Sequence, residues 1–96
     1  MIIYIAGPMT GKPDYNFREF SIAAFMIEEK GHTAINPAML PRNLDDKRYL
    51  PICMAMIDAA DAIYMLDGWE DSLGAKAEIA YARRQGKAII YQGAHL

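Results

Sequence analysis

The chain predicts an α/β fold: a single parallel sheet of about four strands flanked by helices, in one domain spanning residues 1–96. Three observations carry this expectation. Short apolar, often β-branched runs recur at residues 2–6, 33–35, 62–66 and 87–91. Amphipathic stretches of helical length separate them. Turn residues mark the junctions, among them Gly7-Pro8, Lys30-Gly31, Asn36-Pro37, Gly68 and Gly86. Strands alternating with helices at this spacing favour parallel pairing, with right-handed crossovers and helices on both faces.

Taken in order, Ile2, Ile3, Tyr4, Ile5 and Ala6 are expected to form the first, central strand. A turn-rich loop follows at 7–13. It has the look of a phosphate-binding P-loop but breaks the pattern. Only three residues separate Gly7 from Gly11, and Pro13 rather than Ser or Thr follows Lys12, so a nucleoside triphosphatase is rejected. Asn16 opens the first helix, with Glu19 placed for a capping box. Phe17, Phe20, Ala24 and Ile27 give its buried face, and Lys30-Gly31 its end.

Residues 33–35 make a short strand stopped by Asn36-Pro37. The stretch 37–46 has two prolines and little periodicity, and is expected to be a loop. A second helix runs over 46–60, with Leu50, Cys53, Met54 and Ile57 as its apolar stripe. Pro51 fits that helix only if it lies in the first turn. The third strand covers 62–66. Gly68 breaks it, Asp71 or Ser72 caps a third helix over 73–85, and Gly86 stops that helix. The last strand is 87–91, and residues 92–96 carry no clear signal.

Composition narrows the function. Apolar residues make up 53% of the chain and the net charge is −2, which excludes a disordered chain and argues against a general binder of nucleic-acid polymers. Cys53 is the single cysteine, so neither an internal disulfide nor a cysteine-rich metal site is available. His32 and His95 are far apart in sequence and form no metal pair. The apolar start is too short for a signal peptide or a membrane span, and a cytoplasmic protein is expected. A small core and seven methionines leave room for an oligomer.

In parallel sheets of this kind, ligands sit beyond the carboxyl ends of the strands, where strand order reverses. The loops at 7–13 and 67–74 both open at that edge. Gly74 and Ala75 leave the first turn of the third helix bare, so its free N–H groups can meet an anion. Glu78 follows about a turn further in. The two glycine-bearing loops are therefore expected to face one crevice, with Glu78 behind the second. Simpler roles stand beside these. Glu78 fits a helix surface, Ser72 an ordinary cap, Gly7-Pro8 a plain turn, and Tyr4 either the core or the site. Trp69 either stacks on a base or covers the edge of the core.

Tyr4-Ile5-Ala6-Gly7-Pro8-Met9 after the first strand, and Ser72-Leu73-Gly74-Ala75-Lys76-Ala77-Glu78 opening a late helix, resemble the nucleoside 2-deoxyribosyltransferase superfamily. That superfamily includes the 2′-deoxynucleoside 5′-phosphate N-hydrolases. The resemblance spans residues 2–91 and is carried by short motifs in a fixed order. It implies a flavodoxin-like or Rossmann-like sheet and a deoxynucleoside or deoxynucleotide substrate. It implies an assembly of two or more copies, and neither a cofactor nor a metal is expected.

By the same resemblance, Glu78 attacks the anomeric carbon of deoxyribose and forms a covalent sugar–enzyme intermediate, which water or a second base resolves. Tyr4 lies near the sugar or nucleophile, Ser72 holds a 5′-phosphate, and the loop of Gly7, Pro8 and Met9 contributes backbone contacts. One residue departs from the family pattern. The family carries an aspartate eight residues before the position of Asp61, and Cys53 stands there. Asp58 points about 140° away on an ideal helix. Asp67, at the strand end, is the nearer candidate for the acid. A non-catalytic nucleotide sensor that kept the fold and lost the acid is the alternative.

Overall fold

The computed structural model describes residues 1–96. Four parallel strands form one sheet in the order β2-β1-β3-β4, where β1 is Ile2–Ala6, β2 Thr33–Ile35, β3 Ala62–Met65 and β4 Ala88–Tyr91. Three helices connect them: α1 Phe17–Glu29, α2 Asp46–Ala59 and α3 Leu73–Arg84. This is the expected α/β architecture, with strand order reversing between β1 and β3.

Alternation along the central strands sorts the core into two layers. Tyr4, Ala6, Ile63 and Met65 face α2 and α3, where Cys53, Ile57, Ala75, Ile79 and Ala82 cover them. Ile3, Ile5, Ala62, Tyr64 and Leu66 face α1, against Phe20, Ala23 and Ile27. Register places Tyr4 opposite Ile63 and Ala6 opposite Met65. Tyr4 is thus directed to the face on which α3 lies.

Several local expectations are corrected. Asn16 does not cap α1 through its side chain: its φ is +63°, and its Nδ2 donates to the carbonyl of Pro8 at 2.9 Å. No capping box can form with that side chain turned toward the loop. A short 3₁₀ turn, Pro13–Asn16, precedes the helix instead, with Asp14 and Tyr15 also left-handed. Ala23 rather than Ala24 completes the fully buried stripe, and Phe17 is only half-buried.

In α2, Pro51 lies in the second turn, not the first. It is exposed, so the Lys47 carbonyl that loses its donor faces water. Leu50 is exposed beside a crevice rather than buried in the stripe. The stretch expected to be loop holds a 3₁₀ turn, Pro37–Met39, capped by Asn36 Oδ1 accepting from the N–H of Ala38. Leu66 falls just past β3 but still donates its N–H to Ala6 O at 2.8 Å. Beyond β4, Gln92 continues the pairing by donating to Met65 O at 2.9 Å, and Leu96 packs on the α1 side. No helix is long and apolar enough to cross a membrane.

Candidate functional site

The loops after β1 and β3 meet at the carboxyl edge of the sheet, where the Gly7 backbone lies directly against the Leu66 side chain. A Cβ on Gly7 would lie 2.7 Å from Leu66 Cβ, so glycine is required for this close approach. Gly68 turns the second loop with φ +88°, a left-handed conformation that glycine adopts without strain. The Asn16 side chain, bonded to Pro8 O, ties the first loop to the start of α1.

Between the loops opens a crevice of about 690 Å³. Seven of the sequence-predicted site residues line it: Tyr4, Gly7, Pro8, Met9, Ser72, Gly74 and Glu78. Ser72 Oγ caps α3 by accepting from the N–H of Ala75 at 3.1 Å. The N–H groups of Leu73 and Gly74 have no acceptor within the helix and lie at the crevice wall.

Glu78 sits at the back, buried to 8% exposure. Its Oε2 accepts a 2.6 Å hydrogen bond from the Tyr4 hydroxyl, which is itself fully buried in the middle of β1. Burial pushes the Glu78 carboxyl up to about 7, against the pull of the Tyr4 hydroxyl and the nearby Cys53 thiol. Tyr4 is raised well above the ordinary phenol value, by burial first and then by the Glu78 charge, so it remains a donor. Burial also pushes the Cys53 thiol up to about 11. The arrangement therefore offers one carboxylate, poised near neutrality and held by a neutral phenol, at the floor of an open crevice.

Asp67 and Trp69 are placed elsewhere. Asp67 is exposed just past β3, its N–H donating to Gln92 Oε1 at 2.6 Å, and it does not line the crevice. Trp69 packs on the core beside α3, its ring 6.2 Å from that of Tyr91. Conversely, sequence reasoning missed Pro37, Asp46 and Tyr49, which close the crevice from the β2–α2 side. The signal for Tyr49 was its i, i+4 spacing to Cys53, which puts both on one face of α2.

Comparison with known proteins follows this geometry. A 2-desoxiribosyltransferase from Leishmania mexicana superposes with a TM-score of 0.76 over 94% of this chain, at 24% identity. The chain spans 62% of the length of that protein. The similarity is one of fold. No curated protein matches the chain. Over residues 1–91 the chain matches the family model "Domain of unknown function (DUF4406)", and it belongs to that family.

Proposed function

We propose that this protein cleaves or exchanges the N-glycosidic bond of a deoxynucleoside or its 5′-monophosphate, with Glu78 as the nucleophile. The observation that carries this reading is the buried Glu78 carboxylate, oriented by the Tyr4 hydroxyl at 2.6 Å and opening on the crevice between the two loops. One Glu78 oxygen would attack C1′ while the base departs with the bonding electron pair. The resulting sugar ester is then resolved by water or by a second base. The fold shared with a 2-desoxiribosyltransferase supports the reading.

Binding contacts belong to the same proposal. Ser72 and the N–H groups of Leu73 and Gly74 would take the 5′ end of the ligand, a phosphate included, at the positive end of α3. Gly7, Pro8 and Met9 would line the sugar. Asp67 as the acid and Trp69 as a base platform require both side chains to move to the crevice. An assembly of copies completes the proposal, since Leu73 is 83% exposed at the mouth of the crevice.

Incubation with the four deoxynucleosides and their 5′-monophosphates tests the reading by release of free base. The wild type should release base from at least one of them, and Glu78→Gln should lower that rate by about 10³-fold or more. Full activity in Glu78→Gln would overturn it. A second reading, a nucleotide sensor without turnover, is favoured by one observation: a buried thiol with a raised pKa, Cys53, stands where the family resemblance expects an acid. Binding seen by thermal shift without base release would support that alternative.

A further inference from the structure

If Glu78 attacks the sugar, charge develops on the departing base, and some group must meet it. The structure narrows the choice. Cys53 is fully buried and cannot reach a ligand. The Tyr4 hydroxyl is committed to Glu78. Asp67 lies off the crevice, Thr10, Lys12, Asp46 and Asp71 stand exposed at its rim, and Ser72 Oγ is engaged in capping α3.

Tyr49 remains. It is half-buried on α2, one turn before Cys53, and lies on the wall between the crevice and a second, smaller cleft of about 130 Å³. That cleft joins an apolar wall of Met9, Phe17, Pro37 and Leu40 to the polar Arg42–Asp14 pair, a mixture that matches the apolar faces and polar edges of a heteroaromatic base. The Tyr49 hydroxyl touches Met9 Sδ and the Pro37 carbonyl, each at 3.4 Å, with the Cys53 thiol as a third weak partner. A thioether is a weak acceptor, and the carbonyl contact is near the limit of a hydrogen bond. The donor is therefore free to turn to a ligand at little cost. Burial raises the Tyr49 phenol, with the Cys53 thiol and the Glu78 carboxylate close enough to add to the effect, so it stays protonated.

We infer that Tyr49 is the hydrogen-bond donor to the leaving base, placed between the sugar site over Glu78 and the smaller cleft. This rests on the glycosidic reading above. As the Glu78 oxygen bonds to C1′, the C1′–N bond breaks and its electron pair passes into the base. The Tyr49 O–H meets the ring heteroatom that gathers this charge and keeps its own proton. In hydrolysis, water then adds to C1′ and frees the Glu78 carboxylate, and the proton lost by that water ends on the base.

The test compares two leaving groups. An ordinary deoxynucleoside needs a donor at its base, whereas 7-methyl-2′-deoxyguanosine carries a cationic base that departs neutral. Tyr49→Phe should lower kcat on the ordinary substrate by about 10²-fold and leave the methylated one within about twofold, after subtraction of its spontaneous release. An equal fall on both substrates, or no fall on either, would overturn the role of Tyr49 and leave the role of Glu78 intact. If Glu78→Gln remains fully active on both, the nucleophile role of Glu78 fails, and the two-substrate comparison alone judges Tyr49. Wild-type protein inactive on both substrates would remove the two together. An unchanged melting temperature in Tyr49→Phe separates a lost donor from a damaged fold.

Discussion

At the level of single residues, the proposed nucleophile Glu78 would set the pH dependence of base release. It must be ionised to attack carbon, and its carboxyl is pushed up to about 7. Base release should therefore rise with pH through about 7 and level off above it. Tyr4 opposes the burial effect by donating to Oε2. Tyr4→Phe should move that rise to higher pH, and a pH–rate profile of the variant checks the direction. The same group links to stability. The folded pKa, about 7, is raised from an ordinary 4.5, so the folded state holds the proton more tightly than the unfolded chain. This stabilisation is complete below the unfolded value and is lost as pH rises through the folded one. The span is on the order of 3 kcal/mol. Glu78→Gln should therefore melt above the wild type at pH 8, with the gap closing toward pH 5. Melting curves at the two pH values check this, and an equal gap at both would contradict it.

At the level of elements, the crevice depends on how closely the ends of β1 and β3 approach. Gly7→Ala places a Cβ 2.7 Å from Leu66 Cβ, within the packed core. It should cost roughly 1–3 kcal/mol by overpacking and disturb ligand binding as well. Denaturant unfolding and a thermal shift with ligand measure the two effects. Asn16 is the second fixed point, with its left-handed backbone and its bond to Pro8 O. Asn16→Gly should retain more stability than Asn16→Ala, because only glycine takes the positive φ without strain. The opposite order would mean that the backbone at residue 16 does not hold its left-handed conformation once the side chain is gone.

These elements also show what was legible in the sequence. All four strands, the three helices and the meeting of the two glycine loops could be read from periodicity and turn residues, because each has a local cause. Residues whose placement depends on tertiary contact were less legible. Asn16 looks like a helix cap but serves the neighbouring loop. Pro51 is tolerated mid-helix because its face is exposed. Asp67 and Trp69 were placed in the site by proximity along the chain, yet the left-handed turn at Gly68 and the packing of Trp69 near Tyr91 leave them off the crevice wall. Tyr49 shares a face of α2 with Cys53 by its spacing, but that this face closes the crevice depends on the β2–α2 segment folding over the mouth, which the spacing does not reveal.

At the scale of the whole molecule, alternation in one strand joins fold to chemistry. Tyr4 is a core residue by burial and reaches the crevice by its hydroxyl, because β1 ends there and directs its even-numbered side chains toward α3. The apolar surface left outside is considerable for so small a chain: Phe25 is 68% exposed, Met39 71% and Leu73 83%. Burial of such side chains is worth roughly 25 cal/mol per Å². Sedimentation should accordingly find a dimer or larger species at micromolar concentration, and a monomer there would contradict the proposed assembly.

The most direct test of the central claim is the covalent intermediate. A 2′-fluoro deoxynucleoside slows the second displacement, so intact-protein mass spectrometry should show one fluorinated sugar added, mapped by peptide to Glu78 and absent in Glu78→Gln. Base release with no adduct, or an adduct on another residue, would contradict the account.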